Sequence, residues 1–199
     1  MAPRSPQQFE EIREKSREKI LVAALELFAN KGYDATSIES IAKKAGISKG
    51  LIYNYFESKE KILRAIFDDA MKVGDEILAR YKGLTDPYDI MRRMTQDTFE
   101  FLRNKKQYCQ LLTAISLQPG VMDDMKDFID NAFKKNMKIM TALYKQIGDK
   151  DPRISSLLIS AVFDGVSLGY CMLGDNYPLD AMEKRIIEDY CTRPKKKSI

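Results

Sequence analysis

Histidine is missing from all 199 residues, which removes the commonest general base and a frequent metal ligand together. No P-loop, nucleotide-binding glycine pattern or nucleophile elbow takes its place. These absences argue against an enzyme, and no cofactor or metal is expected. Cys109, Cys171 and Cys191 are the only cysteines. Odd in number and without a CxxC pair, they read as reduced thiols of a cytoplasmic protein. Proline and glycine are scarce, which leaves few breaks between long regular segments. No run reaches the roughly 20 apolar residues that cross a bilayer. The charged start "MAPRSPQQFEEIREKSREK" lacks the apolar core of a signal peptide, so no membrane partner is expected.

What is present is a chain 44% hydrophobic, enough for a real core, in which Leu, Ile, Ala, Lys, Glu and Met recur. That mixture favours helices over strands. The net charge of +4 is small. It is spread as a slightly basic amino-terminal third, a slightly acidic middle and a basic tail after Arg193. A solvated surface and a phosphate-facing patch both fit that distribution.

Periodicity predicts an all-α protein of about nine helices. The first spans about Gln7 to Asn30, with Ile20, Ala24, Leu27 and Phe28 on one buried stripe and Gly32 at its end. Thr36 and Glu39 have the spacing of a capping box for the second, which ends at Gly46. Ser48 is the N-cap expected for the third, with Ile47 and Ile52 placed as a hydrophobic staple. A fourth follows Ser58 and runs to about Lys82 as a continuous connection. Five more are expected: one opening at Pro87, then about Gln107–Leu117, Val121–Ile147, Arg153–Leu173 and Pro178–Cys191.

Two short helices separated by "AGIS" form a helix-turn-helix pattern. On a helical projection Lys49, Gly50, Tyr53 and Asn54 share one face, while Ile52 and Phe56 point to the core. A helix that reads DNA needs such a face, with cations for phosphates and donors or acceptors for base edges. Other readings stay open at this point. Thr36, Ser48 and Ser58 are explained by capping, Tyr53 and Tyr55 can pack on neighbouring helices, and Lys43 and Lys44 suit a solvated surface. Leu51 can be partly buried or meet a thymine methyl group.

The run "TSIESIAKKAGISKGLIYNYFESKEKIL", Thr36 to Leu63, with the preceding "ALELFANKGYDATS", resembles the helix-turn-helix of TetR-family (tetracycline-repressor-like) transcriptional regulators. The resemblance covers about the first third of the chain. It implies a two-domain, all-helical homodimer, with residues 1–58 binding double-stranded operator DNA. Residues 59–199 would hold an effector pocket and the dimer interface. The DNA contacts it implies are Thr36, Ser37, Ser48, Lys49, Gly50, Tyr53, Asn54, Tyr55 and Lys59. Leu51 stands where the family often has a small polar residue.

Ala161, Gly165 and Gly169 recur at steps of four and allow another helix to approach closely, within the chain or across a dimer. The resemblance implies a dimer made by the last two helices, to which Leu179, Met182, Ile186 and Tyr190 would contribute. For a small-molecule effector of unknown identity, the candidate lining is Met94, Thr98, Phe101, Tyr108, Phe133, Asn136, Met137, Met140 and Phe163, with Asp164 beside them. Thr98 and Asn136 interrupt apolar faces, as a satisfied core polar group or a ligand-orienting group would. The family implies a repressor released from a pseudo-palindromic operator when a largely hydrophobic molecule binds. An effector-independent DNA-binding protein controlled by a protein partner is the alternative, and a helical enzyme with a buried carboxylate site a third.

Overall fold

The computed structural model describes residues 5–81 and 83–193, and every regular element among them is helical. The ten α-helices are α1 (Pro6–Lys31), α2 (Ile38–Ala45), α3 (Lys49–Tyr53), α4 (Lys59–Ala79), α5 (Pro87–Asn104), α6 (Lys106–Ser116), α7 (Pro119–Asp124), α8 (Lys126–Gln146), α9 (Pro152–Leu173) and α10 (Leu179–Tyr190). A 3₁₀ turn, Gly174–Asn176, follows α9. The expected end of α4 at Lys82 and the basic run after Pro194 lie outside the described residues.

Ten helices stand where about nine were expected because Val121–Ile147 is not one helix. Pro119 opens α7 at its first turn, and buried Met125 interrupts the ladder before α8 begins. A second correction concerns the start of α2. Ser37, one residue after the expected cap, sits in extended backbone and accepts from the Ser40 amide at 3.1 Å, while Ser40 Oγ accepts from the Ser37 amide at 3.2 Å. Thr36 turns inward instead: it is buried, and its hydroxyl donates to the Gly32 carbonyl at 2.7 Å. Thr36 and Ser37 are both competent caps by type, and burial of the threonine decides between them. Third, residues 152–176 are long and apolar enough by length and composition to cross a membrane, contrary to the expectation for the chain. Ser156, Ile159, Val166 and Tyr170 on one side of α9 are nevertheless buried against protein.

The described chain forms two compact units. The first comprises residues 1–71 with 114–125; the second comprises 72–113 with 126–199. This division differs from a boundary at 58/59 because the first half of α4 and the whole of α7 pack with the amino-terminal helices. In the first unit Ile20, Ala24, Phe28, Ile41, Ile52, Ile62 and Leu63 are fully or almost fully buried. The Tyr33 ring meets Phe28 edge-on at 5.1 Å. Gln118 ties the unit together: its Oε1 accepts from the Tyr33 amide at 2.7 Å, and its Nε2 donates to the Phe28 carbonyl at 2.9 Å. In the second unit α5, α8, α9 and α10 share one core, centred on Phe99, Leu143, Tyr144, Ile159, Val166 and Ile186.

Candidate nucleic-acid interface and effector cavity

The first candidate site is built around a five-residue helix, too short to hold itself together. Its neighbours fix it. At the end of α2, Gly46 adopts φ +69°, a left-handed conformation that suits glycine, and the Ile47 amide reaches the Ala42 carbonyl at 3.1 Å. Ser48 Oγ then accepts from the Leu51 amide at 3.1 Å and starts α3. Ile52 and Phe56 plug the core, and the amides of Tyr55 and Phe56 both return to the Ile52 carbonyl at 2.9 Å. Ser58 accepts from the Lys61 amide to open α4.

With one side so anchored, the other is free. Lys49, Gly50, Tyr53 and Asn54 are exposed, Tyr53 by 49%. A Cβ on Gly50 would meet no atom of the chain within 4 Å, so nothing inside the fold requires glycine there. Ser37 and Ser48 are exposed caps, and Leu51 and Tyr55 are half-buried. Lys59 is committed inward: its Nζ donates to the Tyr33 carbonyl at 2.8 Å and lies 4.3 Å from the Tyr33 ring centroid. Burial among acids pushes the Tyr33 phenol up, desolvation leading over Glu60 and Asp124, so it stays neutral.

The second site is a cavity of about 210 Å³ within the second unit. α5 supplies Met91, Met94, Thr95 and Thr98, and α8 supplies Asn136, Met140 and Tyr144. α9 adds Ile159, Ser160, Phe163 and Asp164, and Tyr190 and Cys191 close the end. Both threonines are satisfied by their own helix, Thr95 donating to the Met91 carbonyl at 2.9 Å and Thr98 to the Met94 carbonyl at 2.8 Å. Two other hydroxyls are not. Tyr144 Oη and Ser160 Oγ are buried without a hydrogen-bond partner among the described residues. Burial raises the Tyr144 phenol to about 12, keeping it a neutral donor. Partial burial also pushes the Asp164 carboxyl up, with no described cation to offset it.

The structure brings Met94, Thr98, Asn136, Met140 and Phe163 around this cavity and leaves other expected residues elsewhere. Phe133 is half-exposed, Met137 is outside the lining, and Phe101 and Tyr108 meet each other edge-on at 6.4 Å. Thr95, Tyr144 and Ser160 were not anticipated. The signal for Tyr144 was the step of four that continues Asn136–Met140 along α8.

The expected dimer residues also divide. Leu179 and Ile186 are buried in the chain's own core, Met182 packs on it, and Tyr190 lines the cavity. A Cβ on Gly169 would sit 2.5 Å from the Tyr177 ring, so that glycine serves packing within the chain. Ala161 and Gly165 are exposed, and Ile154, Leu158, Leu168 and Met172 are exposed on the same helix. Their spacings of three and four make one apolar stripe.

The first unit thus carries a helix-turn-helix with an exposed face on α3, and the second carries a cavity. Residues 20–66 match the model of the tetR family of bacterial regulatory proteins. The uncharacterized HTH-type transcriptional regulator YerO of Bacillus subtilis (strain 168) is 27% identical over 75% of this chain and 48% of its own length. The chain spans about half the length or less of the curated relatives it matches first. The fatty acid degradation regulator FadR from Bacillus halodurans superposes with TM-score 0.72 at 22% identity, covering 94% of this chain and 95% of that one. FadR from Bacillus subtilis, solved in complex with stearoyl-CoA, gives 0.71 at 22% identity, with 86% and 95% covered. At such identities the two structures establish the shared fold.

Proposed function

We propose that this protein is a cytoplasmic, homodimeric repressor that binds a pseudo-palindromic operator and leaves it when a small molecule occupies the cavity of the second unit. The observation that carries the reading is the division of labour on α3, where Ile52 is buried while Lys49, Gly50, Tyr53 and Asn54 face solvent. Lys49 and Tyr55 suit phosphate contacts; Tyr53 and Asn54 suit base edges or the sugar backbone. Ser37 and Ser48 keep exposed hydroxyls beside helix starts, where an anion is favoured. Thr36 and Lys59, engaged within the chain, would support the recognition face from behind. The apolar stripe on α9 supports a two-fold dimer, which would present two α3 helices to successive major grooves. α4, one unbroken helix from residue 59 to 79, connects the two activities in the chain. A ligand that favours one of two α4 dispositions would couple cavity and operator.

The test begins by selecting bound duplexes from a random pool with purified protein, then measuring affinity by fluorescence anisotropy over a range of salt. Lys49→Ala and Tyr53→Phe should each weaken binding by about 1–2 kcal/mol with unchanged thermal melts, and Lys49→Ala should also flatten the salt slope by about one. Unaltered affinity in both variants would remove α3 as the reading helix.

A further inference from the structure

We propose that the cavity of the second unit selects a small organic cation, an apolar body carrying a protonated amine, and does not select an acyl-coenzyme A. This rests on the reading of that cavity as the effector site and adds the chemistry of its ligand. Three observations carry it. Among the described lining residues Asp164 is the one charged side chain, and no lysine or arginine faces the space. Arg92, which reaches the lining, is held by the Cys191 carbonyl at 3.3 Å. Asp164 is exposed to solvent at the cavity, and no cation pairs with it among the described residues, so its carboxylate is open to a ligand ammonium.

Size and the inner polar atoms narrow the choice. The cavity, about 210 Å³, lies below the ~300–1,000 Å³ usual for drug-sized ligands, which suits one ring or a short chain. Met91, Met94, Met140 and Phe163 offer soft, polarizable walls for that body. Deeper in, Tyr144 is only 4% exposed and its hydroxyl lacks a partner, as does that of Ser160. They can receive a second polar group at the ligand's far end, an arrangement that rejects a ligand unable to pair with them. A coenzyme A thioester would bring phosphates towards a lone carboxylate, with no basic residue in the lining to receive them.

The experiment titrates the full chain calorimetrically with phenethylamine, with 2-phenylethanol as its neutral counterpart, 3-phenylpropanoate as its anionic one, and stearoyl-coenzyme A. The amine is expected to bind about tenfold more tightly than the alcohol, and the propanoate not at all. Asp164→Asn should abolish the amine preference and Asp164→Glu should keep most of it. Tyr144→Phe should weaken amine binding two- to fivefold while leaving the preference intact. Equal binding of amine and alcohol, tighter binding of either anion, no binding of the amine, or a preference that survives Asp164→Asn would each overturn the proposal. Operator affinity measured in the same titrations separates the two readings. An amine that binds with the stated preference but leaves operator affinity unchanged upholds the cation site and removes the effector role. Release by stearoyl-coenzyme A alone upholds the effector role and removes the cation site.

Discussion

The two units of this chain place their polar side chains differently. In the first, the hydroxyls at helix starts are satisfied within three residues, Ser37 by Ser40, Ser48 by Leu51 and Ser58 by Lys61, and Tyr33 Oη alone is buried without a partner among the described residues. Lys49, Gly50, Tyr53 and Asn54 of that unit stand in water, with Ile52 and Phe56 buried behind them. In the second, Tyr144 and Ser160 line the cavity with buried hydroxyls that lack a partner among the described residues, and Asp164 adds an exposed carboxylate with no described cation beside it. Hydroxyls at helix starts can be satisfied locally, whereas buried hydroxyls lining a cavity that are left without partners cost some stability.

That contrast can be broken at three points. The largest effect is expected from Ile52→Ala, which empties a fully buried site behind the recognition face. A loss of about 2–5 kcal/mol in denaturant melts is expected. A loss below about 1 kcal/mol would show that α3 is not anchored by its core face. Next comes Gln118→Ala, which removes the acceptor of the Tyr33 amide and the donor to the Phe28 carbonyl. It should cost about 1–3 kcal/mol, measured the same way, because a partly buried amide is left unpaired. The smallest effect, with the opposite sign, is expected from Asp164→Asn. The folded-state carboxyl titrates above its unfolded value, so stability falls as pH rises through the folded pKa and the cost is fully expressed at neutral pH. The variant should therefore be slightly more stable than the parent at pH 7, by under about 1 kcal/mol because the group is partly solvated. The gain should vanish as the pH drops below the unfolded carboxylate range, and melts from pH 3 to 7 would show whether it does.

Much of the first unit was legible in the sequence. Gly46, Ser48, Ser58, Ile52 and Phe56 occupy the positions that capping and helical spacing predict, since those interactions join residues close along the chain. Thr36 shows the limit of such reasoning. Adjacent to an equally good cap, it was assigned from type and spacing, and only the packed turn shows its hydroxyl directed to Gly32. The second unit was legible as helices and less so as a site. Phe133 sits on the same helical pattern as Met140 yet faces water, and Gly169 belongs to a row of small residues but is committed to Tyr177.

By itself the amino-acid sequence determined the helical class, the phase of most helices, and the turn that presents Lys49, Tyr53 and Asn54. Each depends on contacts a few residues apart, which composition and periodicity encode directly. Only the tertiary structure decided which side chains enclose the cavity, which of them lack partners, and where the two compact units divide. Met91 and Cys191 line the same space from opposite ends of the second unit's sequence. Such meetings follow from how four helices pack together, which the periodicity of no single helix specifies.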